Sequence, residues 1–208
     1  KDLGIDMAAL ETFRYEDPRP AADRLIAKLV ARRVVLVATP STTEPYEPSP
    51  DELAMLSPDQ LQRYQQFVRE RPPWFPPLSA MPAWNDAHRR FERDFVAAGG
   101  RLLIGADASD FGVVPGYANH AAMIALVRAG FTPLQVIRFA TADAAAFLGA
   151  GDSIGTITPG RVADLLIVKG APDQRIEDIR NIAYVFKEGR AYDPANLRES
   201  AKGQLGLH

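Results

Sequence analysis

Between Ala21 and Ala31 the apolar residues Leu25, Ile26, Leu29 and Val30 fall at helical spacing. The chain then runs Val34-Val35-Leu36-Val37-Ala38-Thr39, an unbroken apolar stretch that predicts a strand buried on both faces, as in a parallel sheet. The same helix-then-strand pattern returns at Asn85–Ala98 and Arg101–Asp107, separated by Gly99-Gly100. Further helices are predicted over Tyr117–Ala129, stopped by Gly130, and from Thr132-Pro133-Leu134-Gln135, where a capping residue precedes a proline at the first helical position. Thr141 is expected to cap a short alanine-rich helix that ends at Gly149.

Pro40–Trp84 interrupts this alternation with a proline-rich excursion. Ser49-Pro50-Asp51-Glu52 and Ser57-Pro58-Asp59-Gln60 each read as N-cap, proline, and an acid or amide three residues after the cap, so two short helices are expected, the second reaching about Glu70. Pro72-Pro73-Trp74-Phe75-Pro76-Pro77 follows as a stiff aromatic crossing. An excursion this long is either a functional lid or a segment whose aromatics pack it onto the body. Beyond Gly151 the pattern shifts to short strands: Ser153–Ile157, Ala163–Val168, Asn181–Lys187, and Arg190–Tyr192 after a Glu188-Gly189 turn. The expected organisation is therefore helices and strands over 1–150, with residues 40–84 as the excursion, a small β-module over 151–192, and a polar tail over 193–208 that wraps the surface or frays.

Asp107 is the residue this pattern singles out. An apolar strand fed by a long amphipathic helix stops at Gly105-Ala106 and then presents a single carboxylate, which is where an α/β barrel places catalytic or metal-binding groups. Composition sharpens the point. Hydrophobic residues make up 47% of the 208, enough for a core. With 24 basic against 26 acidic residues and no basic stripe, no nucleic-acid surface is expected. No apolar stretch approaches membrane-spanning length. There is no cysteine, so neither disulfides nor thiolate chemistry is available, and the compartment stays open between cytoplasmic and periplasmic or secreted. The chain starts with Lys1 rather than Met, and an upstream segment is expected.

The second half resembles the C-terminal part of the metal-dependent amidohydrolase superfamily, in its imidazolonepropionase-like and Xaa-Pro dipeptidase-like branch. Several runs carry the resemblance, in order. Arg101–Ala108 resembles the last barrel strand, and Asn119-His120-Ala121-Ala122-Met123 with Leu126–Pro133 resembles the helix and turn after it. Ala140–Gly149 resembles an alanine-rich helix, Ile154–Val168 a return into a β-sandwich, and Val185–Arg190 a final hairpin. Ala21–Thr39 is similar, more loosely, to the preceding helix and seventh strand.

That resemblance implies the C-terminal portion of a (β/α)8 TIM-like barrel plus part of a small β-sandwich, incomplete by itself. It implies one or two divalent metal ions, often zinc, at the C-terminal ends of the strands. Asp107 matches the last metal ligand, which also accepts a proton from the attacking water. The reaction implied is hydrolysis of a C–N bond in an amide, cyclic amide or peptide-like small molecule. The family's other ligands, a His-x-His pair on the first strand and histidines on the fifth and sixth, have no counterpart among His88, His120 and His208. A catalytic zinc takes about three protein ligands. The expected partner is thus an N-terminal half of the same enzyme, with homo-oligomerisation and no nucleic acid or membrane. A non-catalytic relative retained as a binding or assembly module is the alternative. His120 is expected either to contact substrate or to brace Asp107, and Trp74, with Phe75 and Trp84, to wall an apolar pocket. Asp110 lies near Asp107, where two carboxylates could divide acid and base labour, though its loop position favours turn capping; the hydroxyls of Thr39 and Ser41 could line the pocket, and strand termination explains them equally well. Asp143 and Asp164 fit a helix first turn and a strand start.

Overall fold

The computed structural model describes residues 19–40, 47–70, 81–108 and 113–206, with the side chains of 19–20 and 81–84 excepted. Its architecture is α/β. Helix α1 (Arg19–Ala31) leads into strand β1 (Val35–Ala38), and α4 (Met81–Ala97) leads into β2 (Arg101–Ile104). Between them lie the single turn α2 (Pro50–Leu53) and the longer α3 (Pro58–Arg69). After β2 come α5 (Tyr117–Arg128), α6 (Pro133–Ala140) and α7 (Ala142–Phe147). The chain then forms β3 (Leu165–Val168), a 3-10 turn (Ile176–Arg180), β4 (Ile182–Lys187), β5 (Arg190–Tyr192) and α8 (Pro194–Ala201).

The helix starts follow from local hydrogen bonding. Ser49 Oγ accepts from Glu52 N while Glu52 Oε2 accepts from Ser49 N at 2.7 Å, a reciprocal capping box. Thr132 and Gln135 repeat it at α6, and Ser57 Oγ accepts from Gln60 N at α3. Thr141 does not cap α7 as expected. Its hydroxyl donates back to Ile137 O at 2.7 Å, so the α6–α7 junction is held by a bond to the preceding helix instead.

β1 and β2 pair in parallel, Leu36 opposite Leu102 and Ala38 opposite Ile104. One face of this pair, Leu36, Ala38, Leu102 and Ile104, packs with Met123, Leu126, Val136 and Phe139 of α5 and α6. Phe131 and Phe139 meet edge to face there, ring centroids 5.4 Å apart. α1 and α4 close around Ile26, Leu29 and the fully buried Phe95, a cluster that also reaches Leu36. The expectation that β1 is buried on both faces does not hold. Val37 points the other way along the two-residue period of a strand and is 54% exposed. Helices cover one face of the pair; on the other Leu103 is buried but Val37 is open, and further elements are needed to bury it.

The second sheet has the order β3-β4-β5, antiparallel throughout. Its hairpin turn places Glu188 (φ 52) and Gly189 (φ 78) in the left-handed region that a two-residue turn between twisted strands requires. Asp164 secures the turn: its Oδ1 accepts from Glu188 N at 2.8 Å and its Oδ2 from Lys187 Nζ at 2.6 Å. The strand expected at Ser153–Ile157 is absent. Residues 151–156 form turns and bends, with Gly155 and Gly160 at positive φ and the Arg161 guanidinium donating to the carbonyls of Gly151 and Ile154. A side chain that gathers the carbonyls of Gly151 and Ile154 together leaves them unavailable to a ladder. The polar tail is also more ordered than expected. Asp193 Oδ1 accepts from Ala195 N and caps α8, and Leu205 continues beyond it to bond to the backbone on both sides of Leu56.

Asp178 anchors the 3-10 turn. It is 4% exposed, its Oδ2 accepts from Ala171 N at 3.0 Å, and its other oxygen accepts from the Arg175 guanidinium. Arg175 first, then the Ala171 N–H, holds the Asp178 carboxyl below the usual carboxylate range. A depressed folded-state pKa stabilises the fold above the unfolded value of about 4 and stops doing so as pH falls through the folded value. In the assembled protein Asp178→Ala is therefore expected to lower the melting temperature at pH 7. The gap from the wild type should narrow progressively as pH falls below about 4. Melts of both proteins across that range check it, and a gap that persists undiminished in acid contradicts it.

Candidate functional site

β1 and β2 run in the same direction, so their C-terminal ends open at one edge, and everything that follows either strand leaves from there. Gly105 sets the spacing at this edge. Its N–H donates to Ala38 O at 2.8 Å, extending the pairing one residue past β2. A Cβ at this position would stand 2.8 Å from Val37 Cγ1 and 3.3 Å from Thr39 Cγ2, so any larger residue would push the strand exits apart. Two residues further on, Asp107 turns into the left-handed region (φ 44) and presents an exposed carboxylate. Asp is one of the few L residues that visits this region without a large penalty. Asp107 makes no hydrogen bond or ion pair among the described residues.

Behind the edge, Val113 and Val114 re-enter the core, Val114 with no exposed surface, and α5 begins at Tyr117. His120 lies one turn into α5 and is half-buried. Burial chiefly, and then the positive charge of Arg180, lowers its pKa from the ordinary value. Glu52 pulls weakly the other way. His120 is therefore mainly neutral at pH 7, on a helix that packs against the 3-10 turn. Neither Glu52, which is buried, nor Arg180 had been singled out from the sequence. Glu52 reads there only as a capping partner, and nothing local brings Arg180 to α5. Among the other sequence candidates, His88 is exposed on α4 and Thr39 is half-buried just past β1. Asp143 pairs with Arg138 Nε at 3.1 Å and Asp164 with Lys187, which gives both structural employment. Ser41, Trp74, Phe75, Asp110 and His208 lie outside the described residues, as does the side chain of Trp84.

Among the described residues no three His, Asp or Glu side chains come together as a metal site. The edge offers one carboxylate where a catalytic divalent metal takes about three protein ligands, so the described residues do not fit such an ion by themselves. Nor is any helix among them long and apolar enough to cross a membrane.

The Amidohydrolase family profile matches residues 87–192, from α4 through β5. The chain belongs to the amidohydrolase family. It is 34% identical over 109 residues to an imidazolonepropionase of Solibacter usitatus (strain Ellin6076), an overlap of 50% of this chain and 22% of that protein. Among solved structures, a bottromycin amidohydrolase superposes with a TM-score of 0.59 at 22% identity, covering 93% of this chain and 50% of its own. Molinate hydrolase superposes at 0.58 and 19% identity, covering 92% of this chain and 38% of its own. These two are likenesses of fold. The chain spans about a fifth of the length of the curated relative and half or less of the two solved chains.

Proposed function

We propose that the chain is the C-terminal part of a hydrolase that cleaves C–N bonds in amide, cyclic amide or peptide-like substrates, and that Asp107 is its proton-transfer residue. The observation that carries this reading is the placement of Asp107: an exposed carboxylate, in left-handed backbone, at the open end of a parallel pair inside the segment matched by the family. The relatives named as an imidazolonepropionase and as amidohydrolases support the bond type.

In this reading β1 and β2 are the last staves of a TIM-like barrel. The β3–β5 sheet is part of a β-sandwich, and residues outside this chain close both. A divalent metal, zinc above all, held mainly by those outside residues, would supply a hydroxide nucleophile at neutral pH, with Asp107 as one further ligand. The chain's own share is then specific. Asp107 takes the proton of the attacking water and delivers it to the leaving nitrogen, because an amine leaves readily only once protonated. The narrow exit at Gly105 fixes the height of that carboxylate. His120, neutral and half-buried, can donate or accept one hydrogen bond toward substrate without adding charge.

The test is chelation of the complete protein. Dialysis against a strong chelator is expected to remove release of amine from N-acyl amino acids, dipeptides or cyclic amides, and one to two equivalents of zinc to restore it. Hydrolysis that survives with no metal in the elemental analysis would overturn the metal-dependent reading. A full panel giving no amine at all would favour the binding-module alternative.

A further inference from the structure

The last described residues, Lys202–Gly206, tie themselves to the segment between β1 and α4. α8 lies beside β4, and from its end the chain crosses to α2 and α3. Gly203 N donates to Ala54 O at 3.1 Å, Leu205 N to Met55 O at 2.9 Å, and Ser57 N to Leu205 O at 2.8 Å, so Leu205 forms a one-residue parallel bridge with Leu56. Its side chain joins Ala201 in the cluster of Met55, Leu56 and Val114, with Leu53, Leu61 and Tyr117 around it. Gly206 then passes over the buried Gln60 so closely that a Cβ would lie 2.2 Å from Gln60 Cγ. The bridge is short, yet all of its donors and acceptors are backbone groups that the α2–α3 junction leaves unpaired.

The other side of that cluster matters for the site. Val114 and Tyr117 lie at the start of α5, so α2 and α3 rest on the beginning of the helix that carries His120. From Leu205 through Leu56 to Val114 runs a continuous apolar contact that joins the chain's end to the segment following Asp107.

We infer that Lys202–Gly206 is a strap that holds α2 and α3 down as a wall of the substrate site, with Leu205 as its anchoring and therefore positioning residue. The strap rests on the proposed hydrolase reading only for its effect on substrate, and its effect on α2–α3 stands without it. The sheet of β3–β5 is the fixed point of this device, since α8 leaves it directly. Without the bridge, α2 and α3 keep their own caps but lose their attachment, so the wall opens while the helices persist.

Three variants of the complete protein test it. Leu205→Asp puts a charge into the apolar cluster, Gly206→Ala drives a methyl into Gln60, and Leu205→Met preserves volume and polarity. Hydrogen exchange read by peptide is expected to rise about tenfold or more across residues 49–61 in the first two, with residues 165–192 unchanged, and Leu205→Met to behave as wild type. With an amide substrate, KM should rise several-fold while kcat stays within about twofold, as loss of a binding wall rather than of a reacting group requires. Unchanged exchange in residues 49–61 for Leu205→Asp overturns the strap, whether or not the protein is a hydrolase. Increased exchange with KM unchanged overturns its role as a wall, and a matching rise in residues 165–192 reduces Leu205 to a general stabiliser and overturns the positioning role.

Discussion

Asp107→Asn is expected to lower turnover of a C–N substrate by about 10²–10⁴-fold, the usual loss when a positioned proton-transfer group is removed. The same variant should melt within about 0.5 kcal/mol of wild type, as exposed substitutions with no partner to lose generally do. The choice of Asn matters. Asp107 sits at φ 44, a conformation that Asn adopts as readily as Asp, so the exchange removes the carboxylate without straining the turn. Asp107→Ala would confound the two effects, because alanine pays for left-handed backbone and the strand exit would relax along with the chemistry. Amine release under saturating substrate, beside a thermal melt, separates them. Wild-type turnover in Asp107→Asn would refute the proton-transfer role, and a collapsed melt would mean that the carboxylate had held the exit together.

The second large effect concerns the 208-residue chain in isolation, which is expected to lack a cooperative melt and to bind a hydrophobic dye. Both sheets have a face open to solvent. Val37 stands 54% exposed on β1, and Leu166, Ile167 and Tyr184 are each about half exposed on β3 and β4. Ile167 lies opposite Tyr184 and Leu166 opposite Val185, so apolar pairs line both faces of the three-stranded sheet. Burial of apolar surface stabilises by roughly 25 cal/mol per Å² and must offset about 1–2 kcal/mol of lost backbone entropy per ordered residue, which two half-covered sheets do poorly. If the proposed N-terminal half completes both sheets, supplying it should convert this state into one with a sharp transition. A cooperative melt of the chain by itself, with no dye binding, would contradict the prediction.

Much of the helical layer was legible because its determinants are local. Ser49 with Glu52 and Thr132 with Gln135 are capping boxes in the sequence and in the structure, and Pro58 and Pro133 start their helices where proline's missing N–H costs nothing. Asp193-Pro194 carries the same signal and was passed over as part of a polar tail. The failures lie where a distant partner decides. Val37 belongs to an apolar run that reads as wholly buried, yet it stands 54% exposed while its partner Leu103 on the same face is buried. Ser153–Ile157 has the residues of a strand, but Arg161 gathers its carbonyls into turns. Thr141 had a choice of acceptors and donors, and took the carbonyl of Ile137.

At the site, Asp107 was legible because the apolar run, the glycine and the acid stand next to one another in the chain. The grouping of Glu52, His120 and Arg180 was not, since those residues come from three separate elements and meet only through packing.

The parallel pairing of Val35 with Arg101 has a consequence for how the molecule is made. A nascent chain displays the β2-facing edge of β1 unpaired throughout synthesis of the excursion and α4, because that neighbour is translated much later. Closing so long a loop is slow, and unpaired ribbons are what chaperones and aggregates compete for. Yield in cells should therefore depend on temperature and translation speed more than on the final stability of the protein.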